Sequence, residues 1–393
     1  MTKYRLQVVV FVLTAFMLGC NEFMVVGVIS DIAKSFGISI AVVGYLVTAF
    51  ALVYAISTPF ITIFTSQYNR FKVLMTLMVV FIVGNTLGAV ASNYAILIAS
   101  RVMTAMVAGS IISLIMTFAT TIAPMDKRAG LISWLYSGFS IASIIGVPIG
   151  TTISTNYGWR NAFWVVSVVA ILTFVALIFI LPRDTKQVKS TLLGQLTLLK
   201  DSRIYVGVFA ILGSAAAMYG YYTYIRPLLT DALGFSLGML NILLFALGIT
   251  SIVGNQLSGR IADKSGISKM PQIFILEMAL LLVMPLALNY KVTGLAVLLI
   301  VGVVTALLGA PMQVHFLGVA EKDYPQSLVL ASSLSSIFFN FGISLGSATA
   351  AALLGIIGLK NISLIAFGYA LMTFILIVIL NKILKETPVR ESR

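Results

Sequence analysis

Apolar residues run along the chain in twelve stretches separated by short polar connections, near 7–29, 42–64, 71–91, 94–120, 128–154, 159–181, 204–226, 237–258, 271–289, 293–316, 326–352 and 360–381. A helix of about 20 residues rises about 30 Å, the thickness of a hydrocarbon core. Each stretch therefore predicts a membrane-spanning helix. At about 33 residues per span including its loop, no length remains for a soluble catalytic domain, so function is expected inside the helices. The first stretch is interrupted by Asn21-Glu22. A carboxylate in lipid costs at least ~2.5 kcal/mol, so Glu22 is expected to face a bundle interior or a water-filled cavity.

The longest polar connection, 182–203, divides the spans six and six, giving an N-terminal half at 1–181, a linker and a C-terminal half at 204–393. The loop after span 2 (Ser66 to Lys72) matches the loop after span 8 (Asp263 to Lys269) at an offset of 197 residues. Asp126 and Asp323 repeat that offset, and Gly138 and Gly342 are 204 apart. Two six-helix units in the same orientation form a parallel repeat, an architecture of transporters that bind substrate between the halves near the midplane.

Composition fits an all-α integral membrane protein: 60% of residues are hydrophobic and 9% charged. With one His and one Cys, a four-ligand zinc site and an intrachain disulfide are both excluded, and no metal or cofactor is expected. The net charge of +13 would suit nucleic acid, but of 25 basic residues 19 fall in connections on one side and five on the other, with Arg101 inside a span. That asymmetry predicts a multi-pass protein of the cell membrane with both termini cytoplasmic and no nucleic-acid partner. Lys3, Arg5 and Leu18-Gly19-Cys20 imitate a lipoprotein signal, but the apolar run continues through Ile29 as a full span.

Several stretches resemble one family, the major facilitator superfamily, and within it the twelve-span drug:proton antiporters and arabinose-efflux-permease-like exporters. In span 5, Gly138 through Gly146-Val147-Pro148-Ile149-Gly150, followed by Tyr157-Gly158-Trp159-Arg160, is similar to the family's glycine-proline antiporter motif. Asn21-Glu22-Phe23 to Asp31-Ile32-Ala33, Gly44 to Pro59, and Arg101 ahead of Gly109 resemble the same subfamily. The cytoplasmic signature after span 2 is degenerate, with Ser66 in place of its aspartate and Asn69 in place of a glycine. The second copy, Gly259, Asp263, Lys264, Gly266 and Lys269, is better preserved.

The resemblance implies two six-helix halves whose cavity is lined by spans 1, 4, 7 and 10. That brings Asn21, Glu22, Arg101, Arg226, Gln313 and His315 near it. Glu22, among Leu18, Val25 and Val26, is the expected proton site, with a fixed ion pair or hydrogen bond as the alternative. Arg101 is expected either to serve as a relay partner of Glu22 or to pack through backbone carbonyls. Glu277, in the peripheral span 9, is expected to make a structural hydrogen bond, with a second protonation site as the alternative. Tyr219, Tyr221, Tyr222 and Tyr224 ahead of Arg226 form either an interfacial belt or a stacking wall for substrate. His315 is expected at headgroup level.

Gly146, Pro148 and Gly150 are expected to bend span 5 and, with Gly342 and Gly346 of span 11, to form a tight seam between the halves. Met17, Met24, Met103, Met106, Met218 and Met312 suit an adaptable lipophilic site. The expected function is that of a monomeric secondary transporter, not an enzyme, exchanging protons for small amphipathic drugs across the bilayer. A dedicated exporter of sugars or purine nucleosides is the alternative, and a non-transporting membrane sensor or scaffold a remote one.

Overall fold

A computed structural model describes residues 3–65, 68–122, 128–183, 197–264, 266–324 and 327–386. Ser66, Asp126 and most of the linker lie outside these residues, as does the Asp263 side chain. Among the described residues all regular structure is helical, and twelve helices are long and apolar enough to cross a membrane. They run Tyr4–Phe36, Ile40–Ile61, Arg70–Ala89, Tyr94–Ala119, Ser137–Tyr157, Trp159–Ile180, Ser202–Tyr222, Leu237–Ala262, Gly266–Ala287, Lys291–Asp323, Ser333–Ile357 and Leu359–Lys385, here spans 1 to 12. Large apolar side chains such as Phe60, Phe179, Leu286 and Val292 are exposed on them. In a bilayer that surface meets acyl chains of equal polarity, so only helix packing and internal polar contacts hold the spans together.

The chain forms two compact units, 1–190 with 237–248, and 191–236 with 249–393. The division falls in the connection after span 6, but the first part of span 8 groups with the first unit. The backbones approach closely there: a Cβ on Gly248 would stand 2.8 Å from Ile144 Cα.

Glycines set the inner contacts of each unit. A Cβ on Gly138 would stand 2.7 Å from the Val12 carbonyl oxygen, 3.1 Å from Ala15 Cβ and 3.3 Å from Phe16 N. A Cβ on Gly342 would meet the same three kinds of atom, Leu212 O at 2.3 Å, Ala215 Cβ at 2.6 Å and Ala216 N at 3.1 Å. Each of these neighbours lies 200 residues after its counterpart, so the repeat extends to individual backbone atoms. Gly146 likewise receives Cys20 and Gly150 receives Met24, while Gly346 receives Ala216. This corrects the expected seam: the small faces of spans 5 and 11 are occupied by spans 1 and 7 of their own halves. Backbones approach only where side chains are absent, and within each six-helix unit the first and fifth helices make that approach.

Two spans depart from regular α-helix. Span 5 contains a π-helical segment, Ala142–Gly146, directly before the helix that carries Pro148. Proline cannot donate to the i−4 carbonyl and crowds it, and the wider turn accommodates the defect. Span 10, continuous by hydropathy, breaks at Thr305–Leu308 between helices Lys291–Val304 and Gly309–Asp323. Ser258 of span 8 bridges the break, its hydroxyl donating to Leu307 O at 2.8 Å and accepting from Ala310 N at 3.0 Å. Span 7 ends at Tyr222, four residues short of Arg226, which stands on a separate helical turn, Ile225–Pro227.

The two signature loops are held differently. Asn69 caps span 3 by accepting from Lys72 N and donates to the Arg183 carbonyl at 2.9 Å, so the residue replacing glycine joins the span 2 loop to the end of span 6. In the second copy Gly266 has φ +52°, a left-handed conformation that disfavours a Cβ, directly after the helix ending at Lys264. Gly259 faces open space.

Candidate functional site

In the first unit, buried polar side chains of spans 1, 3, 4 and 6 form one node. Asn21 is fully buried, and its Nδ2 donates to Asn85 Oδ1 at 2.6 Å. Asn85 Nδ2 donates in turn to the Phe163 carbonyl and to Ser167 Oγ, both at 2.8 Å. From span 4, Arg101 Nη1 donates to the Asn21 carbonyl at 2.8 Å and to Asn21 Oδ1 at 3.2 Å. The guanidinium also lies over the Phe50 ring, 4.2 Å from its centroid, which gives the buried charge an aromatic face. Every polar end of Asn21 is thus committed to protein, and it positions Arg101.

Arg101 is only 1% exposed, yet its Nε and Nη2 have no hydrogen-bond partner. Such donors are costly to leave unpaired and mark a place where an acceptor fits. Glu22 is half-buried, within electrostatic reach of Arg101 but not joined to it in a salt bridge among the described residues. The node therefore has a sealed cation with open donors beside the half-buried Glu22, both in the interior of apolar helices. That arrangement can exchange a proton, water or a substrate acceptor without dismantling the Asn21–Asn85 frame. Near the far end of span 1, Ser154 of span 5 donates to the Asp31 carboxylate.

In the second unit the expected residues are more dispersed. Tyr219 is buried, packs edge-on against Tyr222 at 5.8 Å and meets Phe339 of span 11 at 6.2 Å. Tyr221 and Tyr224 are buried too, while Tyr222 is half-buried. These rings form an interior aromatic cluster rather than an exposed belt. Arg226 is 3% exposed on its separate turn. Gln313 is half-buried on span 10. His315, two residues on, holds the start of span 7 through Nε2 and the Arg203 carbonyl at 3.1 Å. Glu277 is 1% exposed, and its Oε1 has no hydrogen-bond partner.

At the start of span 7, Arg203 bridges Asp201 and Asp323, each at 2.6 Å. Burial acts to raise the Asp201 carboxyl, but bonds from the Arg203 side chain and backbone N–H hold it below its ordinary value. A cavity of about 370 Å³ nearby is lined by Ile267, Pro311, Asn381 and Lys385, and of the expected site residues by Gly266 and His315 alone.

Sequence reasoning singled out Glu22, Asn21 and Arg101 but missed Asn85, Ser167 and Phe50. An asparagine or serine in an apolar run is a weak signal, because either can bond its own helix backbone. The available clue was that Asn85 interrupts span 3 beside Gly84 and Gly88, whose would-be Cβ atoms fall against span 4 and Phe163 of span 6.

Comparison with known proteins matches residues 11–329 to the Major Facilitator Superfamily. YtbD, an MFS-type transporter of Bacillus subtilis (strain 168), is 34% identical over 351 residues, covering 88% of each chain. A second MFS-type transporter of that organism, YbcL, is 29% identical over 384 residues, covering 96% of this chain and 95% of its own. Among solved structures, a bacterial homologue of the human lysosomal transporter Spinster, inward-facing and occupied, aligns with a TM-score of 0.77 at 15% identity, covering 97% of this chain and 98% of its own. A D-xylose-proton symporter aligns at 0.75 and 15% identity, covering 96% and 97%. At such identities these structures share the fold.

Proposed function

The chain belongs to the major facilitator superfamily, and from that premise we propose that it is a proton-coupled exporter of small amphipathic compounds, working by alternating access in the cell membrane with both termini cytoplasmic. The observation that carries this reading is the half-buried Glu22 beside the sealed, partly unpaired Arg101. An ionisable pair inside apolar spans is costly to maintain and marks a proton or substrate path. Glu22 carries the proton. Arg101, fixed by Asn21, changes partner as that proton comes and goes. Tyr219, Tyr222, Gln313 and Arg226 supply aromatic and polar contacts to the substrate.

The driving force is sufficient for uphill export. One entering proton yields about 2.3 kcal/mol per 100 mV and about 1.36 kcal/mol per unit of pH gradient. Together these sustain a concentration ratio of several hundredfold, to order of magnitude.

A second reading, export of one sugar or purine nucleoside, is favoured by the polar chemistry of the node: the unpaired Nε and Nη2 of Arg101 suit a hydroxyl-rich or carbonyl-bearing solute. Flux in liposomes under an imposed pH gradient separates the two, using cationic dyes, neutral drugs, pentoses and nucleosides with wild type and Glu22→Gln. Movement of several unrelated lipophiles, with Glu22→Gln losing uphill transport but keeping exchange, supports the proton-coupled drug exporter. Movement of a single polar metabolite supports the second reading. Normal pumping by Glu22→Gln removes Glu22 as the proton site.

A further inference from the structure

The polar node of the first unit has a counterpart in the second. Asn21 lies on the first span of its half, Asn85 on the third and Arg101 on the fourth. Two hundred residues after Asn21, at the same place on the glycine-seated first helix of its half, stands Tyr221. Its hydroxyl bonds Thr305 of span 10 and lies within electrostatic reach of Glu277 of span 9. The first, third and fourth helices of each half thus converge through polar side chains, as Asn21–Asn85–Arg101 in one and Tyr221–Glu277–Thr305 in the other.

The chemistry at the two nodes is opposite. The first holds a permanent cation, and the second holds a carboxyl with no cation. Glu277 and Tyr222 are the titratable groups that act on Tyr221 of span 7, and no charged group acts on Glu277 among the described residues. Spans 10 and 12 pack against span 9 and bring no charged side chain to the carboxyl among the described residues. Lys269, at the start of span 9, is eight residues away, about 12 Å of helical rise. Lys360, which bonds Asn289 beyond the other end of span 9 at 3.0 Å, lies about 18 Å away on the same measure.

We propose that Glu277 is a second proton-binding site, in the C-terminal half, on the third helix of its half as Asn85 is on the third helix of the other. An ionised carboxylate here would be a buried charge without counter-ion, whereas the protonated acid is neutral and brings its own donor. Thr305 is the first residue of the span 10 break, so Tyr221 joins the carboxyl to the least regular part of that helix. Loss of the proton turns an acid that can donate into an acceptor beside Tyr221, and the Tyr221–Thr305 bond is the contact placed to respond. This site is independent of Glu22.

Infrared difference spectroscopy of the purified full-length protein, titrated from neutral to alkaline pH, tests this without a known substrate. The expected result is a protonated-carboxyl band that vanishes as pH rises, is missing in Glu277→Gln and persists in Glu22→Gln. Tyr221→Phe should keep the band and shift the pH at which it vanishes, and, should the glutamine variant not fold, Glu277→Asp should shift the band's frequency rather than remove it. The proposal is overturned if no band depends on Glu277, or if that band is unchanged by pH wherever the protein stays folded, which makes Glu277 a fixed structural acid. Since Glu22→Gln is read separately, failure at one carboxyl leaves the other standing.

Discussion

The residue at position 21 is an asparagine clamped between Asn85 and Arg101, and the residue 200 positions later is Tyr221, set between Glu277 and Thr305. The frames beneath them match: Gly138 rests on Val12, Ala15 and Phe16, and Gly342 rests on Leu212, Ala215 and Ala216. The fillings do not. The first half keeps a cation by giving it carbonyls and an aromatic face, and the second keeps a carboxyl without any counter-charge among the described residues. A repeat preserves the backbone approaches that make helices pack, while each half is free to carry its own ionisable chemistry on that frame.

The largest effect should come from the frame. Gly138→Leu and Gly342→Leu each drive a side chain into a neighbouring carbonyl, and each should cost about 3 kcal/mol, read as a lowered thermal unfolding midpoint in detergent. Tolerance in one half alone would break the comparison at its base. Next, Arg101→Met keeps the apolar stem of the side chain but removes both bonds to Asn21. Proton-driven export should fall at least about tenfold, or about 1.4 kcal/mol in barrier, and an unchanged rate would reduce Arg101 to packing.

A smaller effect is expected from Asn85→Leu, which removes three hydrogen bonds and leaves Asn21 without one partner. A loss of about 1–2 kcal/mol of stability is expected, and none would mean that the node is not structural. The Asp201–Arg203–Asp323 cluster should contribute least. Because Asp201 titrates below its ordinary value, its contribution is complete above the unfolded pKa of about 3.9 and is lost as pH falls through the folded value. Melting curves of wild type and Asp201→Asn should therefore differ near neutrality and converge in acid. A gap that persists in acid would assign the effect to the amide itself.

The chain's apolar runs fixed the number of spans, and its charges and offsets fixed the repeat, because bilayer thickness and loop charge act on each segment separately. The intramembrane ionisable residues were equally legible, since Glu22, Arg101 and Glu277 stand out in any apolar run. Tertiary structure decided what those residues touch. Hydropathy cannot tell that the glycines of span 5 seat span 1, that Asn21 rather than Glu22 takes the hydrogen bonds of Arg101, or that span 10 breaks at Thr305. Each of these depends on which faces of separate helices meet. That is set by side-chain volume and hydrogen-bond geometry across distant parts of the chain, which no local window contains.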